Sequence, residues 1–249
     1  IGKVYKLVEP KIEIVERACE AGEELEKFEK ALAKTISDIE GVKERAAVNL
    51  SPEELAVFDA HLMMASDPEY SEQIKGMIKE GSTAEKATKT VSDMMVSMFE
   101  SMDNDYFKER AADVKDVSFR LLCNVLGLIV PDLTAIDEEV IVVANDLTPS
   151  DTAQLNKKYT LGFVTEIGGR TSHSAIMARS LEIPAVVGTS GILEKTEPGQ
   201  LIIMDALDGK VILNPTEDEV KEYEAKRAAF LEEKEALKVL LHEKSVTTD

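Results

Sequence analysis

Leu161-Gly162-Phe163-Val164-Thr165-Glu166-Ile167-Gly168-Gly169-Arg170-Thr171-Ser172-His173-Ser174 is the stretch on which the fold turns. A short apolar run ends in two glycines. An arginine and two hydroxyls follow, and a histidine then opens Ser174–Leu181, which reads as a short helix. Strand, glycine turn and helix in that order is the unit of an α/β domain. The glycines let the backbone come close to a ligand. A helix start presents unpaired N–H groups and a partial positive charge, which suit phosphate. From the residues alone, His173 is either a histidine that meets a phosphoryl group or a loop histidine satisfied by backbone contacts.

Working outward, Val140–Ala144 is a buried-strand run, and Pro184–Gly188, Leu201–Met204 and Lys210–Leu213 are further strands, the last two separated by an Asp208-Gly209 turn. Ile1–Val8 alternates weakly and reads as a strand that joins them. Everything from about Val15 to Gly127 reads as helix. Leu25, Phe28, Ala31, Leu32, Ile36 and Ile39 recur at helical steps between Glu24 and Arg45. Ser51-Pro52-Glu53-Glu54 and Ser82-Thr83-Ala84-Glu85 carry capping-box spacing, Asp67-Pro68 opens a helix between them, and Tyr106–Leu126 ends at a candidate C-cap, Gly127. Thr216-x-x-Glu219 caps a last charged helix to about His242. The expectation is an α/β domain formed by residues 1–14 and 128–215, an inserted all-α bundle of four helices over 15–127, and a C-terminal linker helix over 216–249.

Composition narrows the function. The chain has 249 residues, 44% apolar and 31% charged, with a formal net charge of −19. Such a charge disfavours nucleic acid and anionic membranes, which need Lys and Arg to neutralise phosphate. It fits either a basic partner or a plainly solvated surface. Cys19 and Cys123 lack metal-ligand or disulfide-framework spacing, which fits a reducing, cytoplasmic setting. No apolar run approaches a membrane span. The start at Ile1, inside a strand-like stretch, reads as a piece of a longer polypeptide.

The chemistry of the quoted stretch can also be narrowed. It lacks the Gly-Lys-Ser/Thr end of a Walker loop and the G-x-S-x-G elbow of a serine hydrolase, and the other histidines are too distant for a metal set. Histidine phosphoryl transfer asks for one exposed unprotonated ring nitrogen, an acceptor that fixes the tautomer at the other, and donors for the equatorial oxygens. Arg170, Thr171, Ser172 and the Gly169 backbone are in place to supply such donors.

The run Gly168–Gly188 (GGRTSHSAIMARSLEIPAVVG) closely resembles the phosphohistidine signature of the PEP-utilising enzymes, which include enzyme I of the PEP:sugar phosphotransferase system, pyruvate phosphate dikinase and PEP synthase. Phe58–Glu69, Phe107–Val117 and Asp146–Leu155 resemble enzyme I in particular. The resemblance implies a swivelling phosphohistidine domain in which His173 carries the phosphoryl group on Nε2. It implies that Thr152 hydrogen-bonds Nδ1 of that histidine; from the residues alone Thr152 is a helix-start hydroxyl. Arg170 is either a phosphate contact or a salt-bridge partner.

The resemblance further implies that the helical insertion docks HPr, the small phosphocarrier, through positions matching His61, Met63, Met64, Glu69, Tyr70, Phe107 and Arg110. By composition His61 and the two methionines belong more often to a core than to an interface, although adjacent methionines cannot all face inward and methionine suits adaptable surfaces. Ala65, Ser66 and Tyr70 depart from the usual Leu-Glu and Leu of the family, which bears on partner preference. HPr would exchange phosphoryl groups reversibly with His173. PEP would be used only through a C-terminal domain outside this chain, where Mg2+ is expected; no cofactor is expected in the chain itself. The fragment is expected to be a monomer and the full-length enzyme a homodimer. The alternatives are a swivelling domain of a pyruvate phosphate dikinase or PEP synthase, and a helical adaptor on an inert α/β platform.

Overall fold

Strand β2 (Val140–Ala144) is apolar at every position because both of its faces are covered. In the computed structural model it lies within a six-stranded sheet of order β4-β3-β2-β1-β5-β6. The other strands are β1 (Gly2–Lys6), β3 (Thr160–Thr165), β4 (Ala185–Val186), β5 (Leu201–Asp205) and β6 (Lys210–Leu213). β1 to β4 run parallel to one another, and β5 pairs antiparallel with β1 and β6. The described residues are 1–15, 17–48, 50–169 and 173–241; at positions 54, 105, 106, 108, 109, 149, 173, 177 and 237–241 only the backbone is described.

The pleat sends alternate residues of β2 to opposite cores. Val140, Val142 and Ala144 join Phe163 on one face, while Ile141 and Val143 join Val4, Val164 and Ile202 on the other. Short helices bridge the parallel strands. α6 (Pro149–Gln154) lies between β2 and β3, and α7 (His173–Ser180) between β3 and β4. α8 (Ile192–Lys195) and a 3-10 turn at Leu133–Ala135 were not foreseen from the sequence; each is too short to show helical periodicity.

Between β1 and β2 the chain forms helices α1 (Ala21–Ala46), α2 (Pro52–Ala65), α3 (Pro68–Lys79), α4 (Ala84–Glu100) and α5 (Asp105–Leu126). Five helices thus stand among the described residues where a four-helix bundle was expected. The Asp67-Pro68 break divides one leg into α2, which meets α1 and α5, and α3, which meets α1 and α4. The described residues just before Ala21 are not helical, so α1 starts later than expected.

The start of α4 corrects the expected Ser82–Glu85 box. Its N-cap is Thr83, whose hydroxyl accepts from the Lys86 N–H at 3.3 Å, and the Ala84 N–H bonds Glu24 of α1 at 2.7 Å. Glu85 turns to Lys27 at 2.9 Å and Arg17 at 3.5 Å and is unavailable for a box. These ion pairs hold its carboxyl below the ordinary carboxylate range despite burial. In the Ser51–Glu54 motif, Pro52 is the first helical residue and the Glu54 side chain is outside the described set. α5 ends as expected: Gly127 is left-handed (φ +69°), and the Leu128 and Gly127 N–H groups return to Cys123 O at 2.8 Å and Asn124 O at 3.3 Å.

Phe28, Tyr70, Ile74, Ile78, Val91 and Leu121 form the bundle's own core. A second set of helical residues, including Ile39, Val42, Phe58, Ala65 and Val117, belongs to the same apolar cluster as Val142, Phe163 and Leu181 of the α/β part. The insertion therefore rests on the sheet side that carries α6 and α7. The last helix, α9 (Glu217–Leu241), opens on a reciprocal Thr216–Glu219 box, and its described side chains from Glu224 to Ala236 are all exposed.

Candidate functional site

β3 ends at Thr165, and the chain crosses the end of the sheet to reach α7. The Glu166 and Ile167 N–H groups bond the carbonyls of Ala144 and Asn145 at 3.1 and 3.0 Å, which ties the loop to the end of β2. Gly168 has φ +113°, a conformation that a side chain would strain. Its carbonyl oxygen would lie 3.1 Å from a Cβ at Gly188, itself at φ +77°, so the two loop backbones approach closely. A Cβ at Gly169 would meet nothing within 4 Å, leaving that backbone open.

His173 is the first residue of α7, as the glycine turn implied. Its side chain, and all of Arg170, Thr171 and Ser172, lie outside the described residues. Ser174 is buried, whereas Ile167 and Ile176, on either side of the turn, are about half exposed and give the site an apolar rim.

α6 packs against α7 and carries Thr152, which is fully buried. The Thr152 hydroxyl donates to Thr148 O at 3.1 Å. With its hydrogen placed there, the oxygen keeps lone pairs that can accept an imidazole N–H. The N-terminus of α6 is a reciprocal capping box. The Thr148 hydroxyl accepts from the Asp151 N–H at 3.1 Å, and the Asp151 carboxylate accepts from Thr148 N–H at 3.0 Å.

The residues expected to meet a partner separate into two groups. Met63 on α2 is 76% exposed, Glu69 in the first turn of α3 is exposed, and Met64, Phe107 and Arg110 are partly exposed. Phe107 stacks on Phe99 with centroids 6.1 Å apart. His61 and Tyr70, each 2% exposed, are inside, which corrects their reading as contact surface. Tyr70 seats its hydroxyl 2.7 Å from Ser92 in the bundle core. His61 packs edge-on to Phe58, and its Nε2 lies 3.3 Å from Asp113 Oδ1. The other Asp113 oxygen accepts from Arg110 at 3.1 Å. A buried histidine thus supports, through Asp113, an arginine nearer the surface. Asp113 had not been singled out, although its three-residue spacing from Arg110 on a helix was a usable signal.

Comparison with known proteins adds a frame to this geometry. Residues 1–110 match the model of the PEP-utilising enzyme N-terminal region, and residues 136–209 match that of the PEP-utilising enzyme mobile domain. Over its whole length the chain is 49% identical to a phosphoenolpyruvate-protein phosphotransferase of Latilactobacillus sakei and 48% identical to one of Priestia megaterium. The chain belongs to the phosphoenolpyruvate-protein phosphotransferase family. It spans 44% of the length of these two relatives.

An NMR solution structure of an enzyme I protein superposes with a TM-score of 0.84 at 45% identity, covering 92% of this chain and 94% of that one. The N-terminal domain of a nitrogen-type enzyme 1 superposes with a TM-score of 0.59 at 25% identity, covering 91% of this chain and 94% of that one. Similarity to enzyme I relatives runs through the helical insertion as well as the α7 signature. That favours the enzyme I family over the dikinase alternative and leaves the inert-adaptor alternative without support.

Proposed function

We propose that this chain carries a phosphoryl group on Nε2 of His173 and exchanges it reversibly with a histidine of HPr. The observation that carries the reading is His173 at the first position of α7, beside an open glycine turn, with α7 packed against the helix that bears Thr152. Imidazole attack needs the tautomer with the proton on Nδ1. A Thr152 oxygen whose own hydrogen is donated to Thr148 O accepts that proton's hydrogen bond and leaves the Nε2 lone pair free. In the transfer, Nε2 attacks phosphorus in line, the bond from phosphorus to the carrier's nitrogen breaks, and that nitrogen keeps the electron pair. Backbone donors at Gly169 and the start of α7, with Arg170, Thr171 and Ser172, meet the equatorial oxygens.

The helical insertion is the docking platform. Met63, Met64, Glu69, Phe107 and Arg110 form its contact face, and His61 and Tyr70 support that face from within. The net charge of −19 steers a carrier whose active histidine lies among basic residues. The α/β part swivels between this carrier and the PEP-binding region of the full-length relatives, where PEP and Mg2+ act in a cytoplasmic homodimer. Among the described residues no three His, Cys, Asp or Glu side chains stand together as a metal site.

The test is incubation of the chain with HPr phosphorylated on its histidine. Acid-labile phosphate should appear on His173 and return to unphosphorylated HPr. PEP alone should leave the chain unlabelled. Absence of label from phospho-HPr overturns the proposal.

A further inference from the structure

The helix that bears Thr152 is held by carboxyl groups that phosphoryl transfer does not use. Asp151, immediately before Thr152, accepts from the Thr148 hydroxyl at 2.8 Å and the Thr148 N–H at 3.0 Å. Asp116 reaches across from α5, and its Oδ2 accepts from the Ser150 N–H at 3.2 Å; both residues are buried. This bond ties α6 to the helix whose first turns carry Phe107 and Arg110. Glu9, from the loop after β1, lines the same small pocket as Asp116 and Asp151, and Asp146, after β2, acts on Glu9. Arg120 of α5 lines this pocket too, yet among the described residues it forms no ion pair with any of these carboxyl groups.

Carboxyl groups crowded at one helix seam without a paired cation cannot all ionise without repulsion. Burial, and then the charge of Asp116, push the Asp151 carboxyl up to about 7 against the pull of its Thr148 bonds. Glu9 is raised as well, by burial and then by Asp116 and Asp146.

We propose that Asp151 is a proton-dependent positioning residue that sets how tightly α6 is held against α5, and thereby where Thr152 stands. Protonated, it completes the box and sits quietly beside Asp116. Ionised, it repels Asp116 across the seam, weakens the Asp116–Ser150 bond and lets the first turn of α6 shift. The functional half of this inference rests on the reading that Thr152 orients His173. It also links the docking helix to the phosphohistidine through one backbone N–H.

The test compares wild type, D116N and D151N in phosphoryl exchange with phospho-HPr from about pH 6 to about pH 8.5, the span in which a carboxyl so shifted titrates. Asn keeps an acceptor at either position and removes the charge. The ratio of variant to wild-type rate should rise several-fold across that span for both variants. The Asp151 carboxyl carbon, followed by NMR, should show a near-neutral midpoint in wild type and a lower one in D116N. Parallel rate profiles, or a wild-type midpoint in the ordinary carboxylate range, overturn the proposal. If wild type exchanges no phosphoryl group at all, phosphoryl transfer fails as a reading. The clamp itself is then still judged by the Asp151 midpoint and by amide exchange at Ser150 and Thr152, which should quicken above neutral pH relative to D116N.

Discussion

The two ends of the helical insertion are built on different terms. At the outer end, Phe28, Tyr70, Ile74 and Val91 close a core that belongs to the bundle alone. At the inner end, Phe58, Val42 and Ala65 share a core with Val142 and Phe163 of the sheet. The outer region can change its surface with little effect on the sheet, whereas the inner region cannot move without disturbing the side on which α6 and α7 lie. Helix α2 takes part in the shared core through Phe58 and Ala65, and Met64 beside them packs against both cores.

The largest expected effect tests whether the chemistry is confined to the shared end: His173→Ala should reduce acid-labile phosphate from phospho-HPr to background while amide NMR shifts in α1–α5 stay in place. Next, Phe58→Ala and Phe28→Ala should each cost about 3–5 kcal/mol in urea unfolding. They should differ in reach. Phe58→Ala should shift sheet and bundle signals together, and Phe28→Ala mainly those of the bundle. Equal reach would erase the distinction between the two ends.

Thr152→Ala should slow transfer roughly tenfold without abolishing it, as expected when a group that orients the reacting imidazole is lost; rapid-quench rates check this. Thr152→Ser should recover most of the rate.

The fourth prediction concerns pH. The Asp151 carboxyl is pushed up to about 7 in the fold, above the value for an unfolded chain. The folded state therefore holds a proton that the unfolded state has lost. Stability from this group is fully present below about pH 4, falls as pH rises toward about 7, and is level above that. Asp151→Asn should flatten this decline in denaturant midpoints measured across the range. The smallest effect belongs to the proposed contact face. Arg110→Ala should weaken HPr binding a few-fold, mainly through the association rate and more at low salt, with transfer at saturation unchanged.

Much of this division was legible in residue order. Continuous apolar runs marked β2 and β3, and the glycine turn placed His173 at a helix start. Proline and glycine marked the ends of α2, α3 and α5. The orientation of side chains on α2 and α3 was less well read, although the spacing held it. Phe58, His61 and Ala65 fall three and four residues apart on the buried stripe, with Met63 on the other side. Tyr70, Ile74 and Ile78 repeat every four residues along α3. The Asp116–Ser150 bond was not legible, because it joins residues 34 apart in sequence across two elements.

Gly162 lies in the middle of β3, where a Cβ would come within 2.8 Å of the Pro184 carbonyl oxygen and collide with the thioether of Met204. A methyl group there would wedge β3 away from β4 on one side and push Met204 aside on the other. The ends of β3 and β4, which lead into the loops that hold Gly168 and Gly188, would then move. In engineering terms Gly162 is a zero-clearance fit: the spacing of the loop beneath His173 is set by a position too tight for even the smallest side chain.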